Sequence, residues 1–127
     1  MKPPKPLERD IQAAIVRLME LDGWDAMRTD PVSDRERGTG FGEPGQTDYL
    51  FLRYQPDQVL YVEFKAPGKY PKQHQIAWMA AKRARGARVT WTDSIAKFSA
   101  WYLREGLARQ HPEIFRAYAP PSPCVPA

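Results

Sequence analysis

Cysteine is almost missing from this chain: Cys124, inside a proline-rich stretch near the C-terminus, is the only one among 127 residues. A lone thiol closes no intramolecular disulfide and builds no thiolate metal cluster, so a disulfide-stapled scaffold and thiol chemistry both lack support. Long apolar runs are missing too. No stretch approaches the roughly 18 apolar residues of a membrane span, and Met1-Lys2-Pro3-Pro4-Lys5-Pro6 leads into no apolar run of signal-peptide type. The expectation is a soluble, intracellular protein, cytoplasmic in a prokaryotic cell or its virus, with no membrane partner. Internal repeats are also lacking. With 43% hydrophobic side chains, the chain can bury the modest core of one compact domain and little more. Nineteen Lys and Arg against fifteen Asp and Glu leave a formal charge of +4, a mild excess that favours phosphate-bearing partners without naming one.

Hydrophobic periodicity divides the chain into elements. Leu7, Ile11, Ala14, Ile15, Leu18 and Leu21 recur at helical spacing, and Gly23 follows where a helix can stop. Trp24 to Thr29 reads as a short strand. The segment Asp30 to Gly45 mixes charge with glycines and Pro44, and reads as a mobile loop. Asp48 to Arg53 and Val59 to Lys65 are rich in aromatic and β-branched residues, and Tyr54-Gln55-Pro56-Asp57-Gln58 supplies a turn that makes them a hairpin. Ala66-Pro67-Gly68 ends the second strand. A helix from about Lys72 to Arg85 follows, with Ile76, Met79 and Ala80 as its apolar side. A strand at Arg88 to Thr92 and a helix from about Ile95 to Ala108 complete the order α-β-β-β-α-β-α, a mixed α/β arrangement with a sheet flanked by helices. A Pro-rich extension (residues 1–6) and a Pro-rich tail (residues 118–127) bracket a single domain over residues 7–117.

The chemistry concentrates at Asp48, Glu63 and Lys65. Side chains two apart on a strand share a face, so Glu63 and Lys65 project together. A hairpin turning about residues 55 and 56 sets Asp48 directly opposite Glu63, with Cβ atoms about 5 Å apart; a slip of one residue would separate them onto opposite faces. Two carboxylates that close repel when both are ionised, and a divalent cation between them reverses the sign of the interaction. Mg²⁺ suits such a site, since it takes few protein oxygens and completes its shell with waters and phosphate. An ammonium two residues away can offset charge developing on that phosphate. Glu8 lies three before Ile11 and seven before Ile15, beside the apolar stripe of the first helix, where a carboxylate needs a partner.

These residues carry a resemblance. Gly45-Gln46-Thr47-Asp48, then Tyr61-Val62-Glu63-Phe64-Lys65, then Gly68-Lys69 and a glutamine shortly before Trp78 resemble the VRR-NUC branch of the PD-(D/E)xK nuclease superfamily, over roughly residues 7 to 105. The resemblance implies a restriction-endonuclease-like core and a metal-dependent nuclease. It implies that Asp48, Glu63 and the backbone carbonyl of Phe64 hold Mg²⁺ or Mn²⁺, that Lys65 is the catalytic lysine, and that Glu8 is the additional acidic residue. The family glutamine is Gln75 or Gln73, and Gln75 has the usual spacing of three before the aromatic residue. Thr47 departs from the family, in which proline is common at that place.

Basic residues surround this motif. Lys69, Lys72, His74, Lys82 and Arg83 follow it, and Arg35 and Arg37 precede it; gathered around one cleft they would bind phosphates with salt-sensitive affinity. The resemblance implies DNA as substrate, branched or junction DNA in particular, and a symmetric homodimer would supply two centres for two strands. Phe98, Trp101, Tyr102 and Phe115 offer apolar surface for such a contact. A single-strand or flap nuclease of the same fold, and a non-catalytic nucleic-acid-binding module, are the competing readings.

Overall fold

The computed structural model describes residues 7–29 and 47–120. Helix α1 (Glu8–Leu21) leads into β1 (Asp25–Arg28), β2 (Tyr49–Arg53) and β3 (Gln58–Phe64); then come α2 (Gln73–Ala84), β4 (Val89–Thr92), α3 (Ile95–Arg104) and a short α4 (Pro112–Arg116). The fold is mixed α/β, with a four-stranded sheet of order β1-β2-β3-β4 flanked by helices. β1, β2 and β3 pair antiparallel, whereas β4 runs parallel to β3 because α2 carries the chain back between them. The expected loop Asp30 to Gly45, with Arg35 and Arg37, lies outside the described residues.

Period-two alternation in β3 sorts its side chains between two helical layers. Leu60, Val62 and Phe64 are buried in the main core with Ile11, Ile15 and Met19 of α1 and Phe98 and Tyr102 of α3. Tyr61 faces the other way, toward Trp78 and Met79 of α2 and Val89 of β4. Of the expected apolar side Met79 is buried, but Ile76 and Ala80 are exposed; the inward stripe of α2 is Gln75, Trp78, Met79 and Lys82. The helix is rotated because Trp78 packs edge-on against Tyr61, with ring centroids 5.4 Å apart, and Gln75 reaches a polar partner on β3.

The expected helix to Ala108 stops at Arg104. Gly106 takes φ +69°, a left-handed conformation that glycine adopts freely, and Leu107 N–H turns back to the Tyr102 carbonyl. Leu107 then enters the core, and α4, which periodicity did not predict, lays Phe115 on Tyr102 with centroids 4.1 Å apart. Phe98, Tyr102 and Phe115 are therefore core residues and present no surface to a second copy, contrary to expectation; Trp101 alone of that group stays partly exposed. Among the described residues no helix is long and apolar enough to cross a membrane.

A buried polar network fastens the end of the sheet remote from Glu63. Asp22, fully buried after α1, accepts the backbone amides of Arg109, Gln110 and His111 and the Tyr102 hydroxyl. Burial pushes its carboxyl up, but the Tyr102 hydroxyl and those amides outweigh that effect and hold it below the usual range. Arg53, 3% exposed, lies 3.5 Å from Asp22 Oδ2, covers the Trp24 ring and donates to the Leu107 carbonyl. Removing one member of such a pair strands a buried charge. Asp22→Ala is expected to lower stability by about 3–5 kcal/mol, read as a shifted urea midpoint; a loss under about 1 kcal/mol would mean that the network carries little of the fold.

Candidate functional site

The register of β2 on β3 is the one that the turn predicts: Tyr49 faces Val62, and Phe51 faces Leu60. One step further along the same register Asp48 faces Glu63. Thr29 N–H donates to the Asp48 carbonyl at 3.1 Å, and the Asp48 carboxylate accepts Phe64 N–H at 3.0 Å through Oδ2. In an extended strand the N–H and C=O of one residue point to the same neighbour, so the Phe64 carbonyl is directed to the side that Asp48 occupies. Thr47, at the place where the resembled family commonly has proline, is buried.

Glu63 is 2% exposed, although it carries a carboxylate. Its Oε2 receives Lys65 Nζ at 3.2 Å and Gln75 Nε2 at 2.9 Å. Its Oε1 is buried without a hydrogen-bond partner, a condition it shares, among the described residues, only with Ser99 Oγ. Burial and the Asp48 charge push the Glu63 carboxyl up to about 7, against the opposing pull of Lys65. Of the two candidate glutamines, Gln75 reaches Glu63 and its carbonyl also accepts Lys72 N–H at 2.8 Å at the start of α2, whereas Gln73 is exposed. One amide thus fixes a helix terminus and a carboxylate together.

Glu8, in the first turn of α1, belongs to the same group. Partial desolvation and the Asp48 charge raise its carboxyl, and Lys65 and the Ala66 amide oppose them. Glu8, Glu63 and Gln75 therefore converge from three elements, with Asp48 immediately before β2 and Lys65 immediately after β3. Among the described residues no three His, Cys, Asp or Glu side chains form a cluster able to hold a metal ion by themselves. A two-carboxylate site with an unpartnered buried oxygen nevertheless fits a hard cation that keeps most of its waters, as Mg²⁺ does.

The basic residues divide into two groups. Lys69, Lys72 and His74 are exposed on the loop and first turn next to Gln75. Lys82 and Arg83 lie two turns further along α2, about 10 Å away at 1.5 Å per residue; Lys82 Nζ sits 5.3 Å from the centroid of the Trp78 ring, and Arg83 Nε donates to the Val89 carbonyl at 3.1 Å. Sequence reasoning missed Asp93. Its Oδ2 accepts Gly68 N–H at 2.9 Å and its Oδ1 meets Lys97 at 3.1 Å, tying the loop after Lys65 to α3. Its position immediately after a strand was the available signal.

A carboxyl raised in the fold contributes stability that is present below its unfolded value and lost as pH rises through its folded value. The metal-free protein is thus expected to lose stability between about pH 4.5 and pH 7 through Glu63. Glu63→Gln should flatten that part of a pH series of thermal melts, and an unchanged slope would mean that Glu63 does not titrate in this window. The chain matches no protein-family model, no curated protein and no solved structure at a significant level, so the reading of this site rests on its own residues.

Proposed function

We propose that this chain is a divalent-metal-dependent nuclease that hydrolyses DNA phosphodiester bonds, with a restriction-endonuclease-like core of the VRR-NUC kind. The observation that carries this reading is the buried, unpartnered Oε1 of Glu63 beside Asp48, with Lys65 and Gln75 occupying the other oxygen. A solvated strand glutamate would have no reason to be buried next to a second carboxylate. Branched or junction DNA is the substrate in this proposal, and that preference rests on the sequence resemblance.

In the proposed mechanism Asp48 and Glu63 would hold Mg²⁺ or Mn²⁺, and the Phe64 carbonyl, directed to the side that Asp48 occupies, would be the further oxygen that the resemblance implies. Such an ion, when bound, polarises a phosphoryl oxygen and lowers the pKa of a water. Asp48 is kept in orientation by the Phe64 amide. Lys65 places an ammonium at the rim of the same site, where it can stabilise the charge that develops on the scissile phosphate. Gln75 fixes the rotamer of Glu63, and Glu8 adds a carboxylate that can accept a proton from water. Lys69, Lys72 and His74 are exposed beside the site and can take flanking phosphates. A non-catalytic binding module would account for these basic residues but not for the buried Glu63 carboxylate next to half-buried Asp48, whose mutual repulsion costs stability.

Two measurements test the proposal. Calorimetry with Mg²⁺ or Mn²⁺ should show binding that weakens on Asp48→Asn and on Glu63→Gln; undiminished binding in both variants would remove the site. Lys65→Ala should keep the fold, metal occupancy and most DNA affinity in Ca²⁺, while single-turnover cleavage slows by at least about tenfold. A phosphate-binding lysine would instead weaken association and reduce its salt dependence. A Lys65→Ala rate equal to wild type at saturating enzyme would therefore assign Lys65 to binding.

A further inference from the structure

β4 is an edge strand: among the described residues no strand pairs with its outer side, where only side chains reach the backbone, Arg83 Nε donating to the Val89 carbonyl at 3.1 Å and the Thr90 hydroxyl to the Trp91 carbonyl at 3.5 Å. Tyr61 N–H bonds to the Arg88 carbonyl and Lys65 N–H to the Thr92 carbonyl, so alternate residues of β4 turn toward β3 while Val89 and Trp91 present their backbone outward. Two adjoining cavities, of about 380 and 290 Å³, run along this edge between the α2 side and α3, and share Thr90 and Trp101. Their walls carry three aromatic side chains that keep exposed surface. Tyr70 is 77% exposed, and its ring centroid lies 5.4 Å from that of Trp91; Trp101 is partly exposed on α3.

The charge of the trough suits a polyanion. Lys97, Arg88 and Arg83 stand against Asp93 and Glu105, and each carboxylate is already paired, Asp93 with Lys97 at 3.1 Å and Glu105 with Arg88 at 3.2 Å. Lys97 and Arg88 remain substantially exposed, and an ammonium with three N–H donors or a guanidinium with five has hydrogen-bonding capacity beyond one carboxylate. Aromatic faces with neighbouring cations are the combination on which single-stranded nucleic acid stacks, because every base has a π-face whatever its sequence.

The trough is continuous with the candidate centre. Trp91 is the in-register partner of Glu63, one strand spacing of about 4.8 Å away and on the same face. Tyr70 sits on the loop that leaves Lys65, and the Gly68–Asp93 hydrogen bond fastens that loop to the end of β4.

We propose that the open edge of β4 binds an unpaired nucleic-acid strand, with bases stacked on Tyr70, Trp91 and Trp101 and phosphates met by Lys97 and Arg88. The trough would lead such a strand toward Glu63. That role rests on the nuclease reading, whereas the binding itself does not.

The test is fluorescence anisotropy of the full chain in EDTA, with a labelled short oligothymidylate and a blunt duplex of matched length. Wild type should prefer the single strand. Tyr70→Ala, at an exposed position, should weaken oligothymidylate binding by on the order of tenfold with little change on duplex, and Tyr70→Phe should restore it. Equal affinity of wild type and Tyr70→Ala for the single strand, equal losses on both probes, or failure of Tyr70→Phe would each overturn the proposal. Light scattering checks the other occupant: if wild type is a dimer that Tyr70→Ala dissociates, the trough is a contact between copies and the proposal is wrong. Cleavage assays with Mg²⁺ keep the two readings apart. Selective loss of oligothymidylate binding in Tyr70→Ala by a protein that cleaves nothing would sustain the trough and sink the nuclease. Cleavage that requires Asp48 and Glu63, with no Tyr70→Ala effect on binding, would do the reverse.

Discussion

The pairing register of β2 on β3 is the constraint on which the rest depends. Side chains alternate with period two, so sliding one strand past the other by a single residue would break the opposition of Asp48 and Glu63. Two anchors oppose that slip. At the turn end Arg53 faces Gln58, and its guanidinium is held among Asp22, Trp24 and Leu107. At the other end the Asp48 carboxylate accepts the Phe64 amide. Between them Phe51 and Leu60 face each other as fully buried side chains, so any slip would also disrupt the packed core. The polar network far from the candidate centre therefore acts on it through the strands.

The centre itself works against the fold. A carboxylate at 2% exposure beside a second carboxylate is a local conflict that hydrophobic packing does not require. Lys65 and Gln75 relieve one oxygen of Glu63 and leave the other unpartnered. Such violations of otherwise consistent folding rules concentrate where a protein does something besides fold. Asp22 makes a useful contrast. It is equally buried, but three amides, a hydroxyl and a guanidinium surround it, and its carboxyl is held below the usual range while that of Glu63 is held above. The first carboxylate is complete within the protein; the second keeps one buried oxygen without a hydrogen-bond partner.

What the sequence disclosed follows from the range of the interactions involved. Alternation in Val59 to Lys65 and the position of the turn suffice to oppose Asp48 and Glu63, because hairpin register is a local property. The spacing from Gln75 to Trp78 likewise places both on one helical stripe. The rotation of α2 that exposes Ile76 was not legible, since it is set by Tyr61 and Glu63 on another element. The end of α3 was misplaced for a related reason. Leu107 and Phe115 continue an apolar pattern that suits a longer helix, but Gly106 breaks it and the buried Asp22, 87 to 89 residues earlier, captures the amides beyond. Nothing in the neighbourhood of Asp22 marks it as the acceptor for three distant backbone groups.

Chain direction explains why residues so scattered in sequence meet at one rim. β3 and β4 are parallel, so their carboxyl ends coincide, bringing Lys65 and Asp93 to the same edge of the sheet. β2 runs antiparallel to β3, which sets its first residues, and Asp48 before them, at that edge as well. The crossover from β3 to β4 must begin there, so α2 starts at this rim and offers Gln75 from its first turn. In parallel units the space beyond the carboxyl ends is bounded by loops and helix starts rather than by packed strands, and it is where ligands are received. The open edge of β4 shares this rim through Asp93 and the Gly68 loop. A strand lying along that edge would end beside Glu63 as a consequence of topology, with no further element needed to guide it.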